Sequence, residues 1–510
     1  MRLFVLKSSE RLLNHGFRLF ILLSIFIFKP SETYSQRVLT LEESINLALE
    51  NNLGIKMAEE YASATTSIRK ASFTKFFPSI DITGNYTRFN KELSLLQDDL
   101  LLPVVPVSAI DPTTGEVDPN RLFNPNISPP PTGVVFKPNS SDYYTDSDGN
   151  PVFYRYTWIP QEFMTFGQKN TYLLNVGLIQ PVFTGGKIKA QYNMSKNFEN
   201  MFDSKMRLEI AEVVFETKEL FLTLLSIQEK RKLAEKYYEM LSALAEDVEN
   251  IYEEGLILKN DLLKVRVKLN EADLMLLKAN NGVKLAAAAL KRNIGISIED
   301  SIIVDHELIV SKSFASMEGL VEEALQNRPE LDMAKSVVNF SENLVKMAKS
   351  RYYPDIAFSA NYFFANPNPY NGFANEFGHD YTFGVTMRIP VYDWNEKGHM
   401  LSAARHGKKA QELKFEDAIS LIELEVTKLY YDLTEAISEV SLRESSLNEA
   451  EENLSFAKDS YEEGTITAAS MLEAQTIWQE AQSEYIEAKA NYQIAAAKLN
   501  KALGRMEVAN

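Results

Sequence analysis

The chain of 510 residues has no cysteine. That excludes a disulfide framework and a thioether-anchored lipidated amino terminus. Histidine is nearly missing as well. His15, His306, His379, His399 and His406 are scattered, with neither an H-E-x-x-H spacing nor a paired metal set, so no metal, cofactor or catalytic constellation is expected. Past residue 28 there is no apolar run of eighteen or more, and any membrane crossing would have to use strands. Acidic residues outnumber basic ones, 70 to 53, for a net charge of −17. A chain with that balance is a poor partner for nucleic acid, since phosphate contacts need Lys and Arg.

What is present begins with Arg2, Lys7, Arg11 and Arg18, then the apolar run Leu19–Phe28, then Lys29-Pro30. This pattern reads as a secretory signal peptide over residues 1–35, since about ten apolar residues are too few to span a bilayer as a helix. Cleavage is expected near Ser35-Gln36.

The mature sequence is written twice. Leu41–Tyr86 returns at Met317–Tyr362 with a spacing of 276, so that Asn51 answers Asn327 and Phe77-Pro78 answers Tyr353-Pro354. Further on the spacing is 209: Gln180-Pro181-Val182-Phe183 answers Ile389-Pro390-Val391-Tyr392, and Gly295 answers Gly504. Two copies of one unit follow, with 67 extra residues in the first. The expected division is 36–304 for the first repeat and 305–510 for the second. The first would hold helices 41–76, 186–252 and 259–293, strands 79–89 and 172–183, and an insertion over 91–170. The second would hold helices 317–352, 396–461 and 468–502 and strands 355–364 and 381–391.

The helices carry a narrow seam. Leu262, Val265, Leu269, Ala272 and Leu276 step by three and four, and Met471, Ala474, Trp478, Ala481 and Tyr485 repeat them 209 residues on, which argues for coiled-coil packing. The stretches near 186–252 and 396–461 have no proline and almost no glycine. As helices of roughly 65 residues they would each run about 100 Å. An elongated helical body is expected, and a filamentous coiled coil stays open as an alternative.

Before each long helix the period changes from about 3.6 to two. Ile80, Ile82, Leu174, Val176, Leu178, Ile356, Phe358, Phe383, Val385 and Met387 alternate with polar residues such as Asp81, Thr83, Asn85, Thr382 and Thr386. Segments of about 9–11 residues with one apolar and one polar face suit a transmembrane barrel. The ten apolar residues are expected to face lipid and the polar ones a lumen. Two hairpins cannot close a barrel, so several chains would have to contribute. Pro78, Pro181, Pro354 and Pro390 are expected where strand meets helix, where a missing N–H is tolerable. Hairpins of a soluble sandwich cap are the alternative. Within the insertion, Asp146–Gly149 lacks the acidic residue a calcium loop needs at its twelfth position, where Thr157 sits.

Taken in order, Arg328-Pro329-Glu330-Leu331, the Phe77-Pro78-Ser79-Ile80 and Tyr353-Pro354-Asp355-Ile356 junctions, Gln180-Pro181-Val182-Phe183 with Gly185-Gly186, and the Tyr252…Gly255 and Tyr461…Gly464 turns resemble the TolC-like outer-membrane efflux proteins. The resemblance spans nearly all of 38–504. It implies a mixed α/β membrane protein with internal duplication: a homotrimer whose 12-stranded outer-membrane β-barrel, four strands per chain, continues into a periplasmic α-helical barrel. It implies a passive exit channel of a tripartite efflux system, with a periplasmic adaptor, an inner-membrane RND or ABC transporter and outer-membrane lipid as partners. Glu253, Glu254, Gly255, Leu256 and Ile257, with Glu462, Glu463, Gly464, Thr465 and Ile466, would form the periplasmic tip that docks the adaptor and gates the bore. Leu256, Ile257 and Ile466 are expected to be exposed there, and the four glutamates would favour cations. Small-molecule efflux is the first expectation for cargo. A type I protein-secretion duct and a non-conducting envelope stalk are the alternatives. One junction departs from the family pattern: Asp393-Trp394-Asn395 stands where glycines are usual.

Overall fold

The computed structural model describes residues 37–92, 94–97, 100–104, 111–115, 142, 155–159, 161–165, 168–310 and 316–505. The expected leader and most of the 91–170 insertion, with Asp146–Gly149, lie outside the described residues. Two units divide the chain: Phe73–Ile188 with Lys349–Lys397, and the remainder.

The larger unit is helical and duplicated. Helices α1 (Leu41–Asn51), α2 (Leu53–Thr74), α3 (Lys187–Glu253) and α4 (Lys259–Asn293) are answered by α5 (Leu320–Asn327), α6 (Pro329–Ser350), α7 (Glu396–Glu462) and α8 (Ala468–Ala502). α2 and α6 both have 22 residues, α3 and α7 both have 67, and α4 and α8 both have 35. The first expected helix, 41–76, is broken at Asn52, whose extended backbone ends α1. Its side-chain carbonyl then accepts from Gly54 N at 2.7 Å, starting α2. Thr40 begins α1 with a reciprocal capping box to Glu43.

Burial follows the duplication. Ala48, Leu224, Leu290 and Ile294 are fully buried in the first core, and Ala324, Leu433, Leu499 and Leu503 in the second. The members of each pair stand 276 or 209 residues apart. Along α7 the seam Ile422, Val426, Leu429, Leu433, Ala436 and Val440 is buried throughout. A short parallel ribbon, β1 (Arg37–Leu39) with β6 (Ile302–Val304), adds Leu39, Ile302 and Val304 to the first core. Three-residue strands carry too little periodicity to be read from sequence.

Each copy is latched where α1 or α5 meets the end of α4 or α8. In copy one, Asn52 Nδ2 donates to the Asn293 carbonyl at 2.8 Å. The residue in the place of Asn52 is Arg328 in copy two. It is 6% exposed, donates through Nε to the Ala502 carbonyl at 2.5 Å, and pairs with Glu425 at 2.6 Å. Gly295 and Gly504 follow in left-handed backbone at φ +71° and +72°. A Cβ on either would lie within 2.6–2.7 Å of the Cβ of Asn51 or Asn327, so the close approach also requires glycine.

The smaller unit holds a four-stranded antiparallel sheet ordered β2 (Ser79–Arg88), β5 (Asn170–Phe183), β7 (Asp355–Asn366), β8 (Gly378–Arg388). A separate two-stranded ribbon joins β3 (Leu100–Val104) and β4 (Arg155–Ile159). Pro78 and Pro354 immediately precede β2 and β7, and Pro390 falls two residues beyond the end of β8. Pro181 is different. It lies inside β5, where the register with β7 shifts between Pro181 and Phe183, the irregularity that a residue without an N–H imposes on a ladder.

Candidate functional site: the two-faced sheet and the hairpin turns

Because side chains alternate along a strand, partners in register share a face. The register aligns Ile80, Leu178, Ala360 and Phe383 in one row and Ile82, Val176, Tyr362 and Tyr381 in the next. Phe358 pairs with Val385, Ile356 with Met387, and Leu174 with Phe364. All ten apolar residues singled out in the sequence therefore stand on one face. On the other, Asp81, Gly177, Asn361 and Thr382 form a row, and Thr83, Asn175, Phe363 and Asp380 form another. Asn85 and Thr386 share this polar face by the same alternation.

Neither face is covered by the described residues. Ile80, Ile82, Leu174, Phe383, Val385 and Met387 are exposed, and so are Asp81, Thr83, Asn85, Thr382 and Thr386, whereas Val176, Leu178, Ile356 and Phe358 are half-buried among their neighbours. Among the described residues, strands β2 and β8 are each paired on one side only. In water such a sheet would expose both an apolar surface and two open edges. At one end of the apolar face an aromatic group gathers: Tyr86 with Tyr172, Tyr172 with Phe377, and Tyr362 with Phe364 and His379. Tyrosines and phenylalanines at the end of an apolar band suit a membrane–water boundary.

The junction departing from the family pattern keeps its backbone shape without glycine. Gly185 and Gly186 have φ +58° and +85°, and their counterparts Trp394 and Asn395 have φ +53° and +66°. Trp394 is 83% exposed and stacks edge-on against Tyr392. A bulky residue in the left-handed region is strained by about 1–2 kcal/mol.

The hairpin turns lie in the helical unit. Two residues beyond α3 stands Gly255 (φ +78°), and two beyond α7 stands Gly464 (φ +72°). In each turn the glycine N–H bonds three residues back, to Tyr252 or Tyr461, and the next N–H bonds five residues back, to Ile251 or Ser460. This is the Schellman closure of a helix C-terminus. Glu253, Glu254, Glu462 and Glu463 are exposed. Of the apolar turn residues, Leu256 is 71% exposed, as expected. Ile257 and Ile466 are not: both turn inward onto a core shared by the two hairpins, with Leu244, Val248, Leu262 and Met471. Both side chains are half-buried there, and the partial burial favours that arrangement by less than the roughly 1.5–3 kcal/mol of a fully buried isoleucine. Thr465 turns back, its hydroxyl donating to the Ser460 carbonyl at 2.9 Å.

Beside this core runs a groove of about 1210 Å³ between the hairpins, lined by residues of α3, α7, the turns and the starts of α4 and α8. Its existence depends on side chains more than two hundred residues apart, and no local pattern announces it. The sequence reading missed it, and also the Asn52 and Arg328 latches, although Arg328-Pro329-Glu330-Leu331 was visible as a motif. Among the described residues no three His, Asp or Glu side chains converge on a metal position.

Comparison with known proteins agrees with this geometry. The family described as "Outer membrane efflux protein" matches residues 320–505. The cobalt-zinc-cadmium resistance protein CzcC of Cupriavidus metallidurans is 24% identical over 328 residues, which is 64% of this chain and 75% of the relative. The CmeC outer membrane channel of Campylobacter jejuni superposes with a TM-score of 0.67 at 15% identity, over 92% of this chain and 87% of CmeC. VceC of Vibrio cholerae does so with 0.67 at 13% identity, over 91% and 96%. These matches, with the two-faced sheet and the duplicated long helices, support an outer-membrane exit channel with a periplasmic helical portion. Residues 320–505 match the outer membrane efflux protein family, and most of the chain is similar in fold to TolC-like channels.

Proposed function

We propose that three copies of the chain close one passive conduit for small molecules. The observation that carries this reading is the four-stranded sheet, apolar on one face, polar on the other, uncovered on both and open at β2 and β8. Such a sheet satisfies its edges in lipid only by pairing β8 of one copy with β2 of the next, and three copies supply twelve strands. The ten apolar residues then meet lipid and Asp81, Thr83, Asn85, Thr382 and Thr386 line the bore. On this reading the repeats 36–304 and 305–510 are the two halves of each subunit. Pro78, Pro354 and Pro390 mark the passages between strand and helix, and Pro181 marks the irregular register near the end of β5.

The family setting is an export assembly with an adaptor and an inner-membrane transporter. No energy source is visible in this chain, so the driving force comes from that partner, of the proton-driven RND type or an ABC exporter. The turns at Glu253–Ile257 and Glu462–Ile466 dock the periplasmic adaptor and gate the bore, and Leu256 offers exposed apolar area there. A relative named for cobalt, zinc and cadmium resistance supports small-solute cargo over secreted protein. Detergent-extracted protein should run as a trimer by native mass and conduct ions in a planar bilayer. A stable dimer overturns the stoichiometry, and a trimer that never conducts, even with altered hairpin turns, points to a stalk. A deletion strain that clears small toxic compounds normally but retains one polypeptide would reverse the cargo.

A further inference from the structure

We propose that the groove between the hairpin ends is a binding site for a planar aromatic cation carrying an N–H donor. Gln475, on α8, is 3% exposed and lines the groove. Its Oε1 is buried with no hydrogen-bond partner among the described residues, and so is the hydroxyl of Tyr461, at the end of α7, which lines the same groove. Buried polar atoms are nearly always paired, and an orphan is costly to keep. The duplication supplies a control. The counterpart of Gln475 in copy one is Arg266, which reaches an ion pair with Glu249 at the surface. The helix pair itself therefore requires no buried amide at this position.

The remaining lining fits the same ligand. Trp478 and Met471 give an aromatic and a polarisable apolar surface, both nearly buried. Asp247, Asp261, Glu451 and Glu462 outnumber Lys236 and Lys458, so the groove attracts a cation and disfavours an anion. Lys236 lies 4.8 Å from the Trp478 ring centroid and Leu233, Leu447 and Ala450 belong to the same buried cluster, so only the part of the ring that lines the groove is left to the ligand. Burial, with the Asp247 carboxylate beside it, pushes the Tyr461 phenol above its ordinary pKa. It therefore stays protonated and can donate or accept at neutral pH. A ligand N–H would satisfy Gln475 Oε1, the fused rings would lie along Trp478 and Met471, and the positive charge would face the acidic rim. A neutral hydrocarbon would leave Gln475 unpaired. Gln475 Oε1 is itself shielded from solvent, so the ligand N–H reaches it on a turn of the Gln475 side chain toward the groove.

The site does not depend on conduction and can be tested apart from it. In full-length, detergent-extracted protein carrying Trp158→Phe and Trp394→Phe, Trp478 is the single tryptophan. Ethidium, a planar cation with aromatic amines, should quench its fluorescence saturably, while the anionic 8-anilinonaphthalene-1-sulfonate should not. Gln475→Leu should raise Tm by removing the orphan and weaken ethidium at least tenfold. Gln475→Glu should retain or tighten binding, and Arg266→Leu in copy one should leave the titration unchanged. The proposal is overturned if ethidium gives no saturable quenching, or if Gln475→Leu raises Tm and leaves the titration as it was. It is also overturned if the anion binds equally well, since the groove would then be a nonspecific apolar surface suited to a partner helix.

Discussion

The two copies within this chain solve one packing problem with different chemistry. At the base of the hairpins, copy one closes with Asn52 on the Asn293 carbonyl and buries Thr217, whose hydroxyl meets the Asn293 side chain at 2.9 Å. Copy two places Arg328 on the Ala502 carbonyl, pairs it with Glu425, and has the apolar Val426 where copy one has Thr217. A neighbouring contact differs in the opposite sense: Leu47 and Ile296 pack on the core of copy one, and their counterparts Glu323 and Arg505 form a bidentate ion pair. At the turns, copy one reads Gly-Leu-Ile-Leu with no side-chain cap on α4, and copy two reads Gly-Thr-Ile-Thr with Thr467 capping α8. Duplication has kept the apolar volumes and the left-handed backbone positions. The polar contacts have been free to diverge, because many donor and acceptor pairs can satisfy one carbonyl but few side chains fill one cavity.

The strongest challenge to this equivalence is a matched core truncation. Leu224→Ala and Leu433→Ala, at fully buried counterpart positions, should each cost about 2–5 kcal/mol and agree within about 1 kcal/mol. Denaturant unfolding of the detergent-extracted protein, followed by helical signal, measures both. If one cavity proves nearly free, the two cores are not equivalent in energy.

Next in size is a contrast between the two faces of β8. Val385→Arg should cost about 2–4 kcal/mol of barrel stability near the bilayer midplane, and Thr386→Arg little. Heat-resistant assembly in outer-membrane fractions reports on both. Equal assembly of the two variants would mean that the apolar row does not meet lipid.

A third test exchanges the latches. Arg328→Asn removes charge-assisted bonds to the Ala502 carbonyl and to Glu425, for a loss of about 1.5–3 kcal/mol. Adding Ala502→Asn and Val426→Thr rebuilds copy one's arrangement and should recover most of it. A triple variant no better than Arg328→Asn alone would show that the latches are not interchangeable.

Much of this was legible in the sequence, for identifiable reasons. Period two in Ile80, Ile82 and Phe383, Val385 required two-faced strands, and the register then placed them in common rows because a one-residue slip would mix the faces. Seam positions such as Val426 and Leu433 are buried where their spacing put them. Three features were not legible. Ile257 and Ile466 are neighbours of an exposed turn, and only the shared core of the two hairpins shows that they point inward. Pro181 sits within a strand because β5 continues past it through an irregular register. Gln475 stands between Ala474 and Trp478 in a stretch that reads as ordinary helix, and its orphaned oxygen emerges only from the three-dimensional packing.

The smallest expected effect separates the copies by pH. Glu323 Oε1 and Oε2 accept from Arg505 at 2.7 and 2.8 Å, and this hydrogen bonding holds the Glu323 carboxyl below its ordinary pKa. A carboxylate with a depressed folded-state pKa stabilises the protein above its unfolded-state value, and that contribution is lost as pH falls through the folded value. Both side chains remain partly exposed, so solvent screening limits the contribution to at most about 1 kcal/mol. Leu47 and Ile296, which fill the same place in copy one, have no titrating group. Replacing Glu323→Leu together with Arg505→Ile should therefore flatten this part of the acid limb of stability and leave the neutral value within about 1 kcal/mol. Chemical denaturation at neutral pH and again below the ordinary glutamate pKa provides the comparison. An acid limb as steep in the double variant as in the parent would mean that the ion pair contributes nothing that the apolar pair lacks.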